Sequence, residues 1–143
     1  MKHENIIKIY HKDTDCYGVV WHGAYIKWFE IGRVELSHLA GIDFKKLDEM
    51  AILMPVVELN CRYKSPARLL DELCVTTEIK ALKKTSITFS HMMKNIHNNN
   101  LILNATTTVV TIDKDGKLLK KMPDFLYEKY SKILPAKAEL SLI

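Results

Sequence analysis

The sequence has few cysteines, no long apolar run and little net charge. Its three cysteines, Cys16, Cys61 and Cys74, are widely spaced and form no Cys-x-x-Cys pair, so neither a zinc motif nor a disulfide framework is supported. The apolar runs span only a few residues, far short of the roughly 20 that cross a bilayer. The first residues, MKHENIIK, lack the apolar segment and cleavage site of a secretory signal. We therefore expect a cytoplasmic protein with no membrane-spanning segment.

The formal charge of +4 is mild, and the basic residues are scattered along the chain. Lys83-Lys84 and Lys120-Lys121 are only pairs, and no basic stripe with interleaved aromatic residues is present. The sequence therefore predicts no nucleic-acid partner, and a small anionic ligand such as a nucleotide-bearing cofactor fits the charge better. The length of 143 residues is typical of one domain. We expect a single domain over residues 1–143, with a core over 4–130 and a loosely held tail over 134–143.

Hydrophobic periodicity predicts one strand, one long helix and then four further strands. Residues 4–11 alternate as a strand does, and residues 22–40 carry apolar side chains at helical spacing. Runs rich in Val, Ile, Thr and Leu predict strands at 53–63, 72–82, 86–97 and 101–112, with shorter helices at 43–50 and 124–133. This order favours an α+β fold in which a five-stranded antiparallel sheet wraps around a long central helix. The predicted buried stripe of that helix is Tyr25, Trp28, Phe29, Gly32, Leu36 and Leu39.

The segment DTDCYGVVWHGAY, residues 13–25, leads into the long helix and carries the candidate chemistry. A carboxylate is able to attack an acyl carbonyl or to deprotonate a water, and Asp15 is the candidate nucleophile or general base. Gly18 allows a positive φ or a close backbone approach. The backbone N–H groups near His22 and Gly23 are candidate donors to an oxyanion, because the first turn of a helix has no internal partner for them. The start of the helix has no Ser, Thr, Asp or Asn cap, which fits fraying, a cap remote in sequence and donors kept for a ligand equally.

Other interpretations of these residues stay open. Asp15 is also suited to bonding its own turn, as aspartates near glycine commonly do. Asp13 is predicted to be structural, because nothing nearby supplies further metal ligands at a fixed spacing. A nucleophilic pair of Cys16 and His22 lacks a third, orienting group. We expect no metal site, and His22 contributes either its N–H alone or its imidazole as well.

These residues resemble a known family. The string DTDxxGVVWHxxY, with WFExxRxE behind it in the helix, resembles the hotdog-fold acyl-CoA thioesterases, and more narrowly the 4-hydroxybenzoyl-CoA thioesterase and YbgC-like branch. The stretch from Val57 through YKSPARxxD, residues 63–71, resembles the same branch. The resemblance covers about residues 5–130, and the first string is its most specific part.

The resemblance implies a sheet around a helix, a homodimer with active sites at the subunit interface, and often a homotetramer. It implies hydrolysis of an acyl thioester with no metal or bound cofactor, coenzyme A entering only as part of the substrate. Asp15 matches the catalytic carboxylate, and His22 matches the position whose N–H binds the thioester carbonyl. Lys83 and Lys84 match a basic cluster that contacts the coenzyme A phosphates in some members, although Thr85 replaces a third basic residue. The remaining candidates for substrate contact are Tyr17, Gly18, Trp21 and Tyr25.

Three rival functions remain compatible with the sequence. A thioesterase for acyl-carrier-protein or polyketide intermediates would use the same residues on a different carrier. A dehydratase would need an acid paired with a histidine across the site, and His22 has no evident partner. A non-catalytic acyl-binding or partner-binding subunit would have no need of Asp15. The aromatic residues suit an apolar acyl chain and an aromatic ring equally well, so the sequence does not identify the acyl group.

Overall fold

Residues 1–142, which the computed structural model describes, form an antiparallel sheet with helices packed against it. The helices are α1 (Tyr25–Leu39), α2 (Phe44–Glu49) and α3 (Asp124–Ser131). The strands are β1 (Lys2–Lys8), β2 (Val56–Tyr63), β3 (Glu72–Leu82), β4 (Ser86–Asn95), β5 (Leu101–Val110) and β6 (Glu139–Leu140).

The sheet runs in the order β1-β3-β4-β5-β2, and every neighbouring pair along this path is antiparallel. The α+β architecture predicted from the sequence is therefore confirmed. The number of strands differs, because β6 adds a sixth strand that pairs in parallel with the end of β3. The tail was expected to be loosely held, but two of its residues make this pairing; Ile143 lies outside the described residues.

Side-chain alternation on the central strands creates one face that receives α1. Along β3, β4 and β5 nearly every second residue is buried, as a sheet covered on one side requires. On α1, Trp28, Phe29 and Leu36 are buried against this face as predicted. Burying each such side chain contributes about 1.5–3 kcal/mol relative to leaving it in water. Leu39, the last residue of α1, was predicted to be buried but is exposed, because the packed face of the helix ends before it, at Leu36 and Ser37.

A row of polar side chains lies beneath the middle of α1. His91 bonds Thr77 through Nδ1 and Thr107 through Nε2, both at 3.1 Å, and its ring stacks on Phe29 with 4.8 Å between centroids. Burial, aided by the charge of Arg33, lowers the pKa of His91 to about 3, so the imidazole is neutral near pH 7. The neutral ring has one donor and one acceptor nitrogen, and the two hydroxyls satisfy both.

Element boundaries differ from the predicted ones by a few residues. Strand β1 ends at Lys8, because residues 11–13 form a 3₁₀ turn that opens the candidate segment. Helix α1 begins at Tyr25 rather than at residue 22, since residues 22–24 form turns. His22 and Gly23 therefore lie just before the helix and not in its first turn.

At Gly32, α1 lies close to the sheet. A Cβ built on Gly32 would collide with the Thr77 hydroxyl, which His91 already holds in place. Alanine is the better helix former by about 1 kcal/mol, so propensity alone would favour the replacement.

We expect Gly32→Ala to lower the free energy of unfolding by about 2 kcal/mol or more, because overpacking outweighs the gain in propensity. Urea unfolding of the two single variants and of Gly32→Ala/Thr77→Ala measures the effect. Removing the Thr77 hydroxyl should reduce the cost of Gly32→Ala by at least about 1 kcal/mol. Strictly additive costs would contradict the predicted collision.

Candidate active site

The segment between β1 and α1 is a tight loop held by backbone hydrogen bonds. Asp15 N donates to Val19 O at 2.8 Å, and Gly18 N donates to Asp15 O at 3.1 Å. Gly18 has φ of 78°, the left-handed region that glycine adopts without strain. Val20 N donates to Ala67 O at 2.9 Å, which attaches the loop to the chain that precedes β3. The loop is therefore fixed at both of its sides.

Asp13 ties this loop to α1. Its side chain is only 1% exposed; Oδ1 accepts from Lys27 Nζ at 2.7 Å and Oδ2 accepts from Tyr10 N at 3.1 Å. Burial alone would raise the pKa of Asp13, but the hydrogen bonds from Lys27 and Tyr10 and the nearby positive charges outweigh it and lower the pKa below its usual value. The geometry agrees with the structural role predicted for Asp13.

Asp15 is half-buried and only partly engaged by the loop. Its Oδ1 accepts from Tyr17 N at 2.8 Å, the bond of an Asx turn. Within residues 1–142 no second hydrogen bond and no ion pair reaches this carboxylate. The turn interpretation and the chemical one are therefore compatible, because the turn occupies one oxygen and Oδ2 keeps its lone pairs for another partner.

The amides before α1 are the candidate oxyanion donors. Ala24 N donates to Trp21 O at 2.9 Å, whereas the N–H groups of His22 and Gly23 meet no acceptor in the part of the chain that the structure describes. Ala24 is the residue before α1 and supplies no side-chain cap. The turn just before α1 thus presents two unpaired N–H groups next to the positive end of the helix dipole.

Tyr63, on β2, fixes the orientation of one of these amides. Its hydroxyl donates to His22 O at 2.6 Å, across 41 positions of sequence. That carbonyl and the Gly23 N–H belong to one trans peptide, so they point in opposite directions. Tyr63 therefore directs the Gly23 N–H away from β2. Burial, with Cys61 nearby, raises the pKa of Tyr63 to about 12, so the phenol stays a donor near neutral pH.

Sequence reasoning missed the contribution of Tyr63. The only signal was its place in the YKSPARxxD string, which carried no role for it. Its contact with His22 depends on how β2 packs beside the loop, which a local pattern does not reveal.

The aromatic candidates occupy different environments. Trp21 is exposed, its ring meets the His22 ring edge-on at 5.8 Å, and a Cβ on Gly23 would collide with it. The indole therefore packs where a side chain at position 23 would lie and forms a wall beside the candidate site. Tyr25 is 3% exposed and belongs to the core, whereas Tyr17 is 83% exposed. Gly18 is exposed on the same turn as Tyr17.

Lys83 and Lys84 are not close to Asp15 within one chain. They form the turn between β3 and β4, whereas the Asp15 loop attaches near residue 67, before the other end of β3. At about 3.3 Å per residue, the eleven residues of β3 separate the two ends by roughly 30 Å. Lys83 Nζ lies 3.7 Å from Glu139 Oε1, and Lys84 is exposed. Only a second chain would bring such a lysine pair to the Asp15 loop.

The structure also bears on three other hypotheses: a metal site, a Cys16–His22 pair and a membrane-spanning helix. Among residues 1–142, no group of three or more His, Cys, Asp or Glu side chains is arranged to hold a metal ion. Cys16 is exposed and shares no hydrogen bond with His22 in this region. None of the helices described here combines the length and apolar character needed to cross a membrane.

The sequence model of the thioesterase-like superfamily matches residues 9–130 of this chain. Acyl-CoA thioester hydrolase YbgC from Escherichia coli O6:H1 is 32% identical over 107 residues, which cover 75% of this chain and 79% of that protein. The chain belongs to the thioesterase-like superfamily. The predicted class, a thioester hydrolase of the YbgC-like kind, is confirmed.

Solved structures share the fold. DHNA-CoA thioesterase from Staphylococcus aureus superposes with a TM-score of 0.83 at 25% identity, over 92% of this chain and 90% of that one. A mutant 4-hydroxybenzoyl CoA thioesterase complexed with 4-hydroxybenzoyl CoA gives 0.79 at 21% identity, over 90% of this chain and 97% of that one. The predicted hotdog fold is confirmed.

The Asp13–Lys27 contact predicts a stability that depends on pH. We expect Asp13→Ala to lower the free energy of unfolding by about 2–3 kcal/mol near neutral pH, because Lys27 and Tyr10 N lose their buried acceptor. The folded-state pKa of Asp13 lies below its unfolded value, so this stabilisation is present above about pH 4 and is lost as the pH falls through the folded pKa.

Urea unfolding of both proteins across that pH range measures the difference. Asp48→Ala, on the exposed side of α2, is the matched control and should change stability by less than about 0.5 kcal/mol. A gap between Asp13→Ala and the unmodified chain that widened in acid would contradict the assigned contact.

Proposed function

We propose that this protein hydrolyses the thioester of an acyl-CoA to a carboxylic acid and free coenzyme A. The observation that carries the proposal is that one short loop contains both a carboxylate and unpaired backbone amides. It holds a carboxylate with one unoccupied oxygen, Asp15, and ends in two unpaired amides, those of His22 and Gly23. Family membership and the similarity to a protein named acyl-CoA thioester hydrolase support the same reaction.

In the proposed reaction the thioester carbonyl lies against the N–H groups of His22 and Gly23. As the carbonyl carbon is attacked, its oxygen gains negative charge, and these donors stabilise it. One well-placed donor of this kind contributes about 3–4 kcal/mol to lowering the barrier. Tyr63 and the Trp21 ring maintain the geometry, the first through the His22 carbonyl and the second by packing where a side chain at position 23 would lie.

Asp15 has two chemically balanced routes. As nucleophile, it forms a mixed anhydride and expels the coenzyme A thiolate, and water then cleaves the anhydride to regenerate the carboxylate. As general base, it takes a proton from the water that attacks the carbonyl, and the proton passes to the departing thiolate. Neither route uses a metal or a bound cofactor, and coenzyme A takes part only as substrate.

We also propose that the protein forms a homodimer, and that dimers can associate into a homotetramer. Among residues 1–142, strand β2 lies at the edge of the sheet and pairs with β5 on one side only. An unpaired edge with apolar side chains is a surface for pairing with another chain. A second copy also supplies a way for Lys83 and Lys84 to reach the coenzyme A phosphates. The exposed apolar side chains of this edge are Val56, Val57, Leu59 and Tyr63.

A panel of acyl-CoAs, from short to long chains and including aromatic acyl groups, identifies the acyl group by free thiol release. The same acyl groups on an acyl carrier protein test that alternative carrier directly. A protein that binds these compounds and releases no thiol would be a non-catalytic acyl-binding subunit, which would contradict the proposal. The cytoplasmic location stays a prediction from the sequence.

Asp15→Asn tests the proposed role of the carboxylate. The amide keeps the Oδ1 acceptor for Tyr17 N, so we expect normal folding, but it is neither a base nor a nucleophile at neutral pH. Thiol release should fall by about a hundredfold or more. Asp48→Asn, an equally conservative change on α2, should leave turnover within about twofold. Near-normal turnover by Asp15→Asn would remove Asp15 from the mechanism.

Tyr63→Phe tests the orientation of the Gly23 amide. Without the hydroxyl the His22–Gly23 peptide is less restrained, so we expect kcat to fall about tenfold with KM within about twofold. Tyr127→Phe removes another phenol that donates to a carbonyl, that of Ser141, and is the matched control. Equal effects of the two variants, or a rise in KM at constant kcat, would contradict a role for Tyr63 in positioning the amide.

A further inference from the structure

A cleft lies beside the C-terminal half of α1 and is separate from the Asp15 loop. Its volume is about 630 Å³, within the range of sites for small organic ligands. No residue of the segment 13–24 lines it. Arg33 lies eight residues beyond Tyr25 along α1, or about 12 Å at the rise of an α-helix. The cleft has apolar walls formed by Phe44, Met54, Phe89 and Val109.

Arg33 is the unusual residue of this cleft. Its side chain is half-buried, and burial lowers the pKa of its guanidinium, with the charge of Glu30 opposing that effect. Its positive charge adds to the burial that lowers the pKa of His91, and it partly opposes the burial that raises the pKa of Tyr130 to about 12. The ion pairs found in residues 1–142 all use other cations, so no carboxylate of this region pairs with Arg33.

Glu30 acts on Arg33 only from beyond ion-pair distance, so the half-buried guanidinium lacks a carboxylate in direct contact within residues 1–142. Burying such a charge costs free energy, which an anionic partner would recover. The planar fork of arginine matches a carboxylate through two parallel hydrogen bonds. Glu30 also lines the cleft and would repel a second negative charge. The Ser37 and Tyr130 hydroxyls, 2.9 Å apart, add polar atoms at the base. The ligand that fits is therefore a single carboxylate joined to an apolar body.

We propose that this cleft binds a monocarboxylic acid with an aliphatic or aromatic body, its carboxylate on Arg33 and its body on the apolar walls. This binding does not require the proposed hydrolysis. If that hydrolysis occurs, its acid product belongs to the same chemical class, so the cleft would hold product away from the Asp15 loop.

Decanoate, below its micelle concentration, is the probe for titration calorimetry on the full chain. Arg33→Met keeps an unbranched side chain without charge and should weaken binding at least about tenfold. Lys46→Met removes one positive charge from an exposed position of α2 outside the cleft and should leave binding within about twofold. Decanol, which lacks the carboxylate, should bind both the unmodified chain and Arg33→Met weakly and equally. Equal decanoate binding by Arg33→Met and the unmodified chain would overturn the proposal.

A second measurement uses the unmodified protein and does not depend on the folding of a variant. The methionine methyl groups of the protein are labelled for NMR, and decanoate is added. The Met54 methyl resonance, which reports on this cleft, should shift. The Met92 resonance, in a different cleft on the sheet, should not move. A shift of Met92 without Met54 would overturn the proposal.

Asp15→Asn separates this proposal from the proposed function. It should bind decanoate as the unmodified chain does, since Asp15 lines no part of the cleft. Loss of decanoate binding in Asp15→Asn would place the acid at the Asp15 loop instead and overturn the proposal. A chain inactive on every acyl-CoA that still bound decanoate through Arg33 would refute the proposed function alone.

Discussion

The contact between Asp13 and Lys27 is the constraint on which the candidate site depends. It joins the loop that carries Asp15 to the first turns of α1, whose preceding amides would receive the substrate carbonyl. The helix in turn is fixed by its aromatic face on the sheet. Because Asp13 also accepts from Tyr10 N, one buried carboxylate sets the loop against both the strand before it and the helix after it. The proposed chemistry requires this alignment, since a misplaced donor stabilises an oxyanion poorly.

Much of the fold followed from local patterns. Alternation and helical spacing are properties of neighbouring residues, so they placed the central strands and the buried face of α1 within a few positions. Gly32 belonged to the predicted buried stripe, and it does lie against Thr77. The sixth strand was not predicted, because two residues of β6 carry no periodicity and pair only where the end of β3 is available.

The candidate site was predictable only in part. Asp15 and the amides before α1 are close in sequence, so a motif was able to name them together. Tyr63 is 41 positions from His22, and its role arises only when β2 packs beside the loop. The cleft at Arg33 was missed for a related reason. From the sequence, an arginine on a helix cannot be told from one on the solvent-exposed face. Its place in a cleft becomes visible only once α2, α3 and the sheet pack around it.

The neutral histidine under α1 makes the centre of the protein sensitive to acid. The pKa of His91 is about 3 in the folded chain, whereas a solvated imidazole has a pKa of about 6.5. Between these values the unfolded chain holds one more proton at this position, so unfolding is accompanied by proton uptake and the folded state loses stability as the pH falls. This loss begins at a pH where Asp13 is still ionised. Acidification therefore weakens the layer beneath α1 before it releases the loop.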